Sequence, residues 1–250
     1  MSAAAGADTA SIQTRYDDAV LHIALDRPAV RNALGVELVN ALIDALDEAA
    51  ARRVHSVIIE GNGPAFCAGL DLSDMDARRD ADFVLQLVRI ELLLQQVQRA
   101  PFQTLALAHG AAFGAGADLL AACRVRVATP DLKIAFPGVR FGVLLGTRRL
   151  AARIGAAAAD RILGDGTTLS GEQAHALGLV SEFAAREDWP AIRERFVRRG
   201  AAIDPYVGPR LGCLLGADTG DADIADLVRS ASRPGLKQRI AAYVAASRKP

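Results

Sequence analysis

The chain reads as an α/β core followed by a helical C-terminal part. Three observations predict this. Short apolar runs of strand type alternate with helical periodicity through residue 136, helical patterns take over after about residue 144, and 250 residues are enough to bury a sizeable core. The strand–loop–helix rhythm recurs, although no block of sequence is duplicated.

Val20–Leu25 (VLHIAL) is the first expected strand, stopped at Asp26-Arg27-Pro28, where proline cannot continue a ladder. Asn32 is placed to cap the helix that follows. Leu38, Leu42, Leu46 and Ala49 recur at helical spacing, which predicts an amphipathic helix over Gly35–Arg52. His55–Glu60 is a second strand. Residues Asp71–Asp82 read as a polar, mobile loop. Phe83, Leu87, Ile90, Leu94 and Val97 mark a long helix ending before Pro101. Thr104–His109 is a third strand, Ala115–Cys123 a helix, and Arg124–Ala128 and Lys133–Phe136 two further strands. Leu144–Ile154 and Ala156–Leu163 read as helices with Gly155 as a C-cap between them. Ser170–Gln173 has capping-box spacing and opens a short helix closed by Gly178. Asp188–Arg199 and roughly Ala222–Ser247 complete the helical part. The first 18 residues read as a frayed tail.

Bulk properties exclude several classes. Lys+Arg and Asp+Glu are 29 each, so the formal charge is zero, which argues against a general nucleic-acid or membrane-surface binder. No run of 18 apolar residues predicts a membrane span, and the N-terminus does not read as a signal peptide. Cys67, Cys123 and Cys213 are sparse, odd in number and without metal-like spacing. They fit a reducing cytoplasm, and no metal site is expected.

Two stretches leave the backbone bare. Gly61–Asp71 (GNGPAFCAGLD) and His109–Asp118 (HGAAFGAGAD) each follow an apolar strand and each end on an aspartate. Glycine there lets a ligand approach the main chain, and a helix start supplies free N–H donors. A dinucleotide fingerprint fails because Leu119 stands at its third glycine. A P-loop fails for want of lysine, and no G-x-S-x-G elbow exists. Either loop alone could be a tight turn with glycine for steric reasons. Two of them, facing each other, could aim one N–H each at a single carbonyl oxygen.

The chain resembles the enoyl-CoA hydratase/isomerase (crotonase) family. The residues that carry the resemblance are Asp26-Arg27-Pro28 with Arg31–Leu34, Phe66–Leu72 (FCAGLDL), His109-Gly110 with Phe113–Leu119, Gly142–Leu150 and Leu169–Val180. The resemblance implies a crotonase-like spiral of ββα units over residues 1–186 and a C-terminal helical oligomerisation region over 187–250, forming homotrimers or hexamers. It implies an acyl-CoA thioester as substrate, with CoA part of that substrate and no separate cofactor. Its carbonyl would accept from the backbone N–H of Leu70 and of Ala115, an oxyanion hole stabilising an enolate. Ala68, Leu72 and Ser73 fall where the family contacts the adenine end of CoA, and Arg27 and Arg31 are candidate phosphate partners.

Departures from the family pattern bear on the reaction. Asp118 stands where typical hydratases carry a first glutamate, and Gly138 stands where they carry a second. Hydration wants one group to activate water and another to protonate carbon. One carboxylate can shuttle a proton between two carbons, so isomerase-type transfer is favoured. The alternatives are a CoA-thioester-binding protein with weak or lost catalysis, and an acyl-CoA hydrolase. Arg140, near Gly138, is a poor acid or base. His109 reads as structural, and Asp74, Asp76 and Asp80 as solvated loop charges. Arg239, Tyr243, Arg248 and Lys249 on the last helix are candidate contacts to CoA phosphate or a neighbouring subunit.

Overall fold

The structure is a computed structural model that describes residues 11–215 and 219–247. Residues 1–10, Arg248, Lys249 and the Cys213 side chain lie outside the described residues. Its elements are β1 (Ile12–Asp17), β2 (Val20–Leu25), α1 (Val36–Ala51), β3 (Ser56–Gly61), α2 (Asp80–Gln98), β4 (Gln103–Ala108), β5 (Ala111–Phe113), α3 (Ala115–Ala122), β6 (Val125–Ala128) and β7 (Lys133–Ala135). They continue with α4 (Thr147–Ile154), α5 (Ala156–Asp165), β8 (Leu169–Ser170), α6 (Gly171–Ala176), β9 (Glu182–Phe183), α7 (Trp189–Ala201), α8 (Val207–Leu215), α9 (Gly220–Ala231) and α10 (Leu236–Ser247).

A large sheet runs β1-β2-β3-β4-β6-β9, parallel except for β1 against β2. A small sheet runs β5-β7-β8. Successive turns of the chain feed both sheets: β4 is followed by β5, and β6 by β7. The loop after β3 does the same with one residue, Cys67, which bridges to Ala112 of β5. The result is a spiral in which successive turns of the chain add strands to two sheets.

The central strands are buried on both faces, which explains their continuous apolar runs. Val57 and Ile59 of β3 and Ala106 and Ala108 of β4 join the main core with Leu38, Leu42 and Leu46 of α1 and Leu93, Leu94 and Val97 of α2. Ile58, Leu105, Leu107 and Val127 face the other way, onto Trp189, Ile192 and Phe196 of α7. Although it follows residue 187, α7 therefore completes the sheet's second face. A third cluster joins Phe83 and Leu87 of α2 to Val143, Leu227 of α9, and Leu236 and Ile240 of α10.

Several expectations are corrected. Residues 12–17 are not a tail but strand β1, paired with β2 from Ile12 to Asp17. The signal was weak because β1 is an edge strand with mostly exposed side chains. Asn32 does not cap α1, whose N-cap is Gly35. Asn32 is left-handed (φ 56°) and fully buried, and its side chain holds the two loops that flank it. Its Oδ1 accepts from Arg27 N at 2.8 Å, and its Nδ2 donates to the carbonyls of Asn62 and Ala65, each at 2.9 Å. Residues 71–82 contain a short 3-10 turn, Met75–Ala77, and the Asp80 carboxylate accepts from the amides of Gly235, Leu236 and Lys237 at 2.8–3.0 Å. Asp80 thus seats the first turn of α10 and is no solvated loop charge. The last expected helix is two, α9 and α10, parted at Pro234-Gly235 where Gly235 takes φ 78°. The Ser170–Gln173 capping box forms in both directions, with bonds of 2.9 and 3.1 Å.

Candidate functional site

The two bare loops meet. Cys67 N donates to Ala111 O and Phe113 N to Cys67 O, each at 3.0 Å, and Phe66 N donates to His109 O at 2.9 Å. On the other side Leu34 N donates to Gly69 O at 2.7 Å. The approach is so close that glycine is required at the crossing. Gly69 has φ 89°, and a Cβ there would strike Phe113 O and lie 3.2 Å from Ala115 N. A Cβ on Gly116 would strike Cys67 O. Within this stitched backbone the amides of Leu70 and Ala115 donate to no protein acceptor among the described residues. Ala115 is the first residue of α3, so its free N–H belongs to the positive end of that helix.

Leu70 and Ala115 both line a cavity of about 650 Å³. Its wall includes Arg31, Ala68, Leu70, Leu72, Ala115 and Asp118 from the sequence reading, together with Gly138 and Tyr243. Two expected residues are elsewhere. Arg27 and Ser73 turn into an adjoining cleft, and both are committed to Asp71. Arg27 Nη1 donates to Asp71 Oδ2 at 2.6 Å and to Ala33 O at 2.8 Å. Ser73 donates to Asp71 Oδ1 through its amide (3.0 Å) and its hydroxyl (2.7 Å). His109 is buried, its Nε2 is bonded to Gly63 O at 2.8 Å, and its ring meets Trp189 edge-on.

Asp118 projects from the first turn of α3 and is 3 % exposed. Its Oδ1 has no hydrogen-bond partner. Burial pushes its carboxyl well above the ordinary carboxylate range; the nearby Arg149 guanidinium opposes the shift and the Glu91 carboxylate adds to it. A carboxyl with its pKa raised in this way is a candidate for proton transfer. Gly138, the second residue of the 3-10 turn Pro137–Phe141, also lines the cavity, and its carbonyl accepts from Val143 N at 2.9 Å. A Cβ there would sit 2.9 Å from Val143 O, so the turn is shaped for glycine.

Sequence reasoning missed the surroundings of Asp118. Gly146, the left-handed N-cap of α4 (φ 63°), presses its Cα against the Asp118 carboxyl, where any Cβ would collide. Arg149 forms a buried pair with Glu91 at 3.0 Å, the two side chains being 3 % and 1 % exposed. One signal was available: Glu91 lies four residues after Leu87 and three before Leu94, on the apolar stripe of α2.

The fold and the cavity define an α/β spiral protein with a cavity beside the crossing of its two glycine-lined loops. The model of the enoyl-CoA hydratase/isomerase family matches residues 15–197. A Bordetella parapertussis crystal structure assigned as an enoyl-CoA hydratase/isomerase superposes with a TM-score of 0.92 at 41 % identity, covering 96 % of this chain and 99 % of that one. The enoyl-CoA isomerase/hydratase of Mycosarcoma maydis is 34 % identical over 178 residues, 66 % of this chain and 65 % of the relative. The 2,3-dehydroadipyl-CoA hydratase of Escherichia coli is 35 % identical over 167 residues, 65 % of each. The chain thus spans just under two thirds of the length of these two curated relatives. It belongs to the enoyl-CoA hydratase/isomerase family. Among the described residues no helix is long and apolar enough to cross a membrane.

Proposed function

We propose that this chain is an acyl-CoA enzyme that moves a proton between two carbons of the acyl chain, shifting a double bond through an enolate. The Leu70 and Ala115 amides bind the thioester oxygen, and Asp118 is the shuttle. The observation that carries this reading is that Leu70 and Ala115, whose amides have no protein acceptor, line one cavity with the buried Asp118, whose Oδ1 has no partner. As the thioester becomes an enolate its oxygen gains charge. Each amide then contributes roughly 3–4 kcal/mol more to the transition state than to the ground state. Asp118 takes the proton from C2 and returns it to C4, so one carboxylate suffices. Hydration would require a second group where Gly138 stands, and glycine transfers no proton.

Ala68 and Leu72 line the approach used by the CoA moiety, and Arg31 is the phosphate partner at the rim; Arg27 and Ser73 serve by holding Asp71 and so the first loop. CoA arrives as part of the substrate and no further cofactor is required. The free, buried Cys67 and Cys123 suit a reducing cytoplasm. We assign the helices after residue 187 to a homotrimer, alone or paired into a hexamer. Tyr206, just before α8, and Val207 and Leu214 within it, 68 %, 48 % and 81 % exposed, offer the apolar surface for it. Light scattering of the purified protein tests this part.

The test of the reaction is a panel of straight-chain 2-enoyl- and 3-enoyl-CoA thioesters, followed separately for double-bond migration, water addition and thiol release. Migration that Asp118→Asn abolishes is the expected result. Tight binding without turnover would select a binding protein, and thiol release would select a hydrolase.

A further inference from the structure

Behind Asp118 lies a set of buried polar atoms that proton shuttling does not use. Asp118 Oδ1, Thr147 Oγ1, Arg149 Nη1 and Glu91 Oε2 are all sealed from solvent and all lack a hydrogen-bond partner. Three packed helices bring them together: Glu91 from α2, Asp118 from α3, and Thr147 and Arg149 from the first turn of α4. A buried polar atom without a partner is rare in a folded protein, and four in one place call for an explanation.

The inventory is balanced. Thr147 O–H and Arg149 Nη1–H are donors, and Asp118 Oδ1 and Glu91 Oε2 are acceptors. Arg149 is held from its other side, donating through Nε to Gln98 Oε1 at 2.6 Å and through Nη2 to Glu91 Oε1 at 3.0 Å. Glu91 Oε1 is fixed in turn by Gln95 Nε2 at 3.0 Å. The turn carrying Thr147 cannot drift away, because Gly146 backs directly onto the Asp118 carboxyl. Asp118 and Thr147 both border the cavity. A neutral carboxyl can leave such donors idle; a carboxylate cannot be buried there without them.

We propose that Thr147 and Arg149 are positioning residues for Asp118, forming a two-donor seat that its carboxylate occupies once the acid proton has left. This rests on the reading of Asp118 as the proton shuttle. Before turnover the acid proton passes to water in the cavity. During turnover the seated carboxylate takes the C2 proton, returns it at C4 and is regenerated, so no net proton is consumed. The charged groups facing Asp118 are Arg149 from α4, which favours the ionised form, and Glu91 from α2, which opposes it.

The seat can be read without any turnover. Difference infrared spectra of the full chain against Asp118→Asn isolate the carbonyl band of protonated Asp118, and its loss with rising pH gives the ionisation midpoint. Thr147→Val removes the hydroxyl and keeps the shape. Its midpoint is expected about one pH unit higher, the worth of a lost bond to a charged group. Thr147→Ser restores it, and Arg149→Lys shifts it in the same direction. With a straight-chain 3-enoyl-CoA, kcat/KM of Thr147→Val below the midpoint should fall about tenfold, the same shift read as a rate. Unmoved midpoints in Thr147→Val and Arg149→Lys overturn the seat. Full turnover by Asp118→Asn would instead overturn the shuttle, while the infrared titration would still decide the seat.

Discussion

Each bare loop closes on an aspartate, and the two are opposites. Both are buried, Asp71 to 6 % exposure and Asp118 to 3 %. At Asp71 burial pushes the carboxyl up, but the Ser73 amide, the Arg27 guanidinium and the Ser73 hydroxyl together outweigh it and hold the group below its ordinary range. At Asp118 the same burial wins, because no protein donor reaches Oδ1. One carboxylate is a structural anion that locks its loop to the Arg27 turn. The other is buried with its Oδ1 left unsatisfied. Partners, more than burial, decide which aspartate is held ionised and which is pushed toward the protonated form.

The contrast can be broken from either side. The largest effect is expected for Asp118→Asn, which removes the proposed shuttle and should lower kcat by roughly 10²–10⁴-fold. Asp71→Asn should leave a measurable rate. In the wild type, kcat/KM should rise with pH through the raised midpoint of Asp118, since only the ionised form accepts a proton.

Next is the crossing itself. Gly69→Ala forces a side chain to φ 89° and into Phe113 O. A loss of about 3 kcal/mol or more is expected in urea unfolding, the upper range for strain at a special backbone angle. Asp71→Asn should cost about 2 kcal/mol at pH 7, the worth of hydrogen bonds to a charged group. Because the folded midpoint of Asp71 is depressed, its stabilisation is present above the ordinary carboxylate range. It is lost as pH falls through the folded midpoint, so the penalty of Asp71→Asn should shrink in acid.

The smallest effect has the opposite sign. The folded midpoint of Asp118 is raised, so the pH-dependent part of its burial cost is absent below the ordinary carboxylate range. The cost grows as pH rises from there to the raised midpoint. Asp118→Asn should therefore melt higher than wild type at pH 7, with the gap closing toward pH 4. Each kcal/mol recovered corresponds to roughly 2–4 °C in a chain of this size. A mutant that is less active and more stable would mark a function bought with stability.

Much of this was legible in the sequence because it is periodic or glycine-bound. The central strands and α1–α3 follow from apolar runs and helical spacing, and the two loops follow from glycines whose turns permit nothing larger. What was illegible depends on long-range pairing. Strand β1 shows little apolar alternation because one edge faces solvent. Asn32 looked like a helix cap because its residue type suits one, yet its amide is consumed by carbonyls about 30 residues away. Arg27 looked like a free cation, and only the fold shows Asp71 against it. The Glu91–Arg149 pair spans 58 residues and could not be read from local spacing. Gly146 gave no sign of what it touches.

The stitching of the two loops also sets a clock on individual amides. Cys67 and Phe113 are bonded across the crossing, whereas Leu70 and Ala115, three and two residues further along, hold no acceptor. In deuterated buffer the first pair should stay protonated until the whole core opens, and the second pair should exchange early. Bound thioester would slow the early pair alone, so its retention time becomes a gauge of occupancy that needs no chemistry.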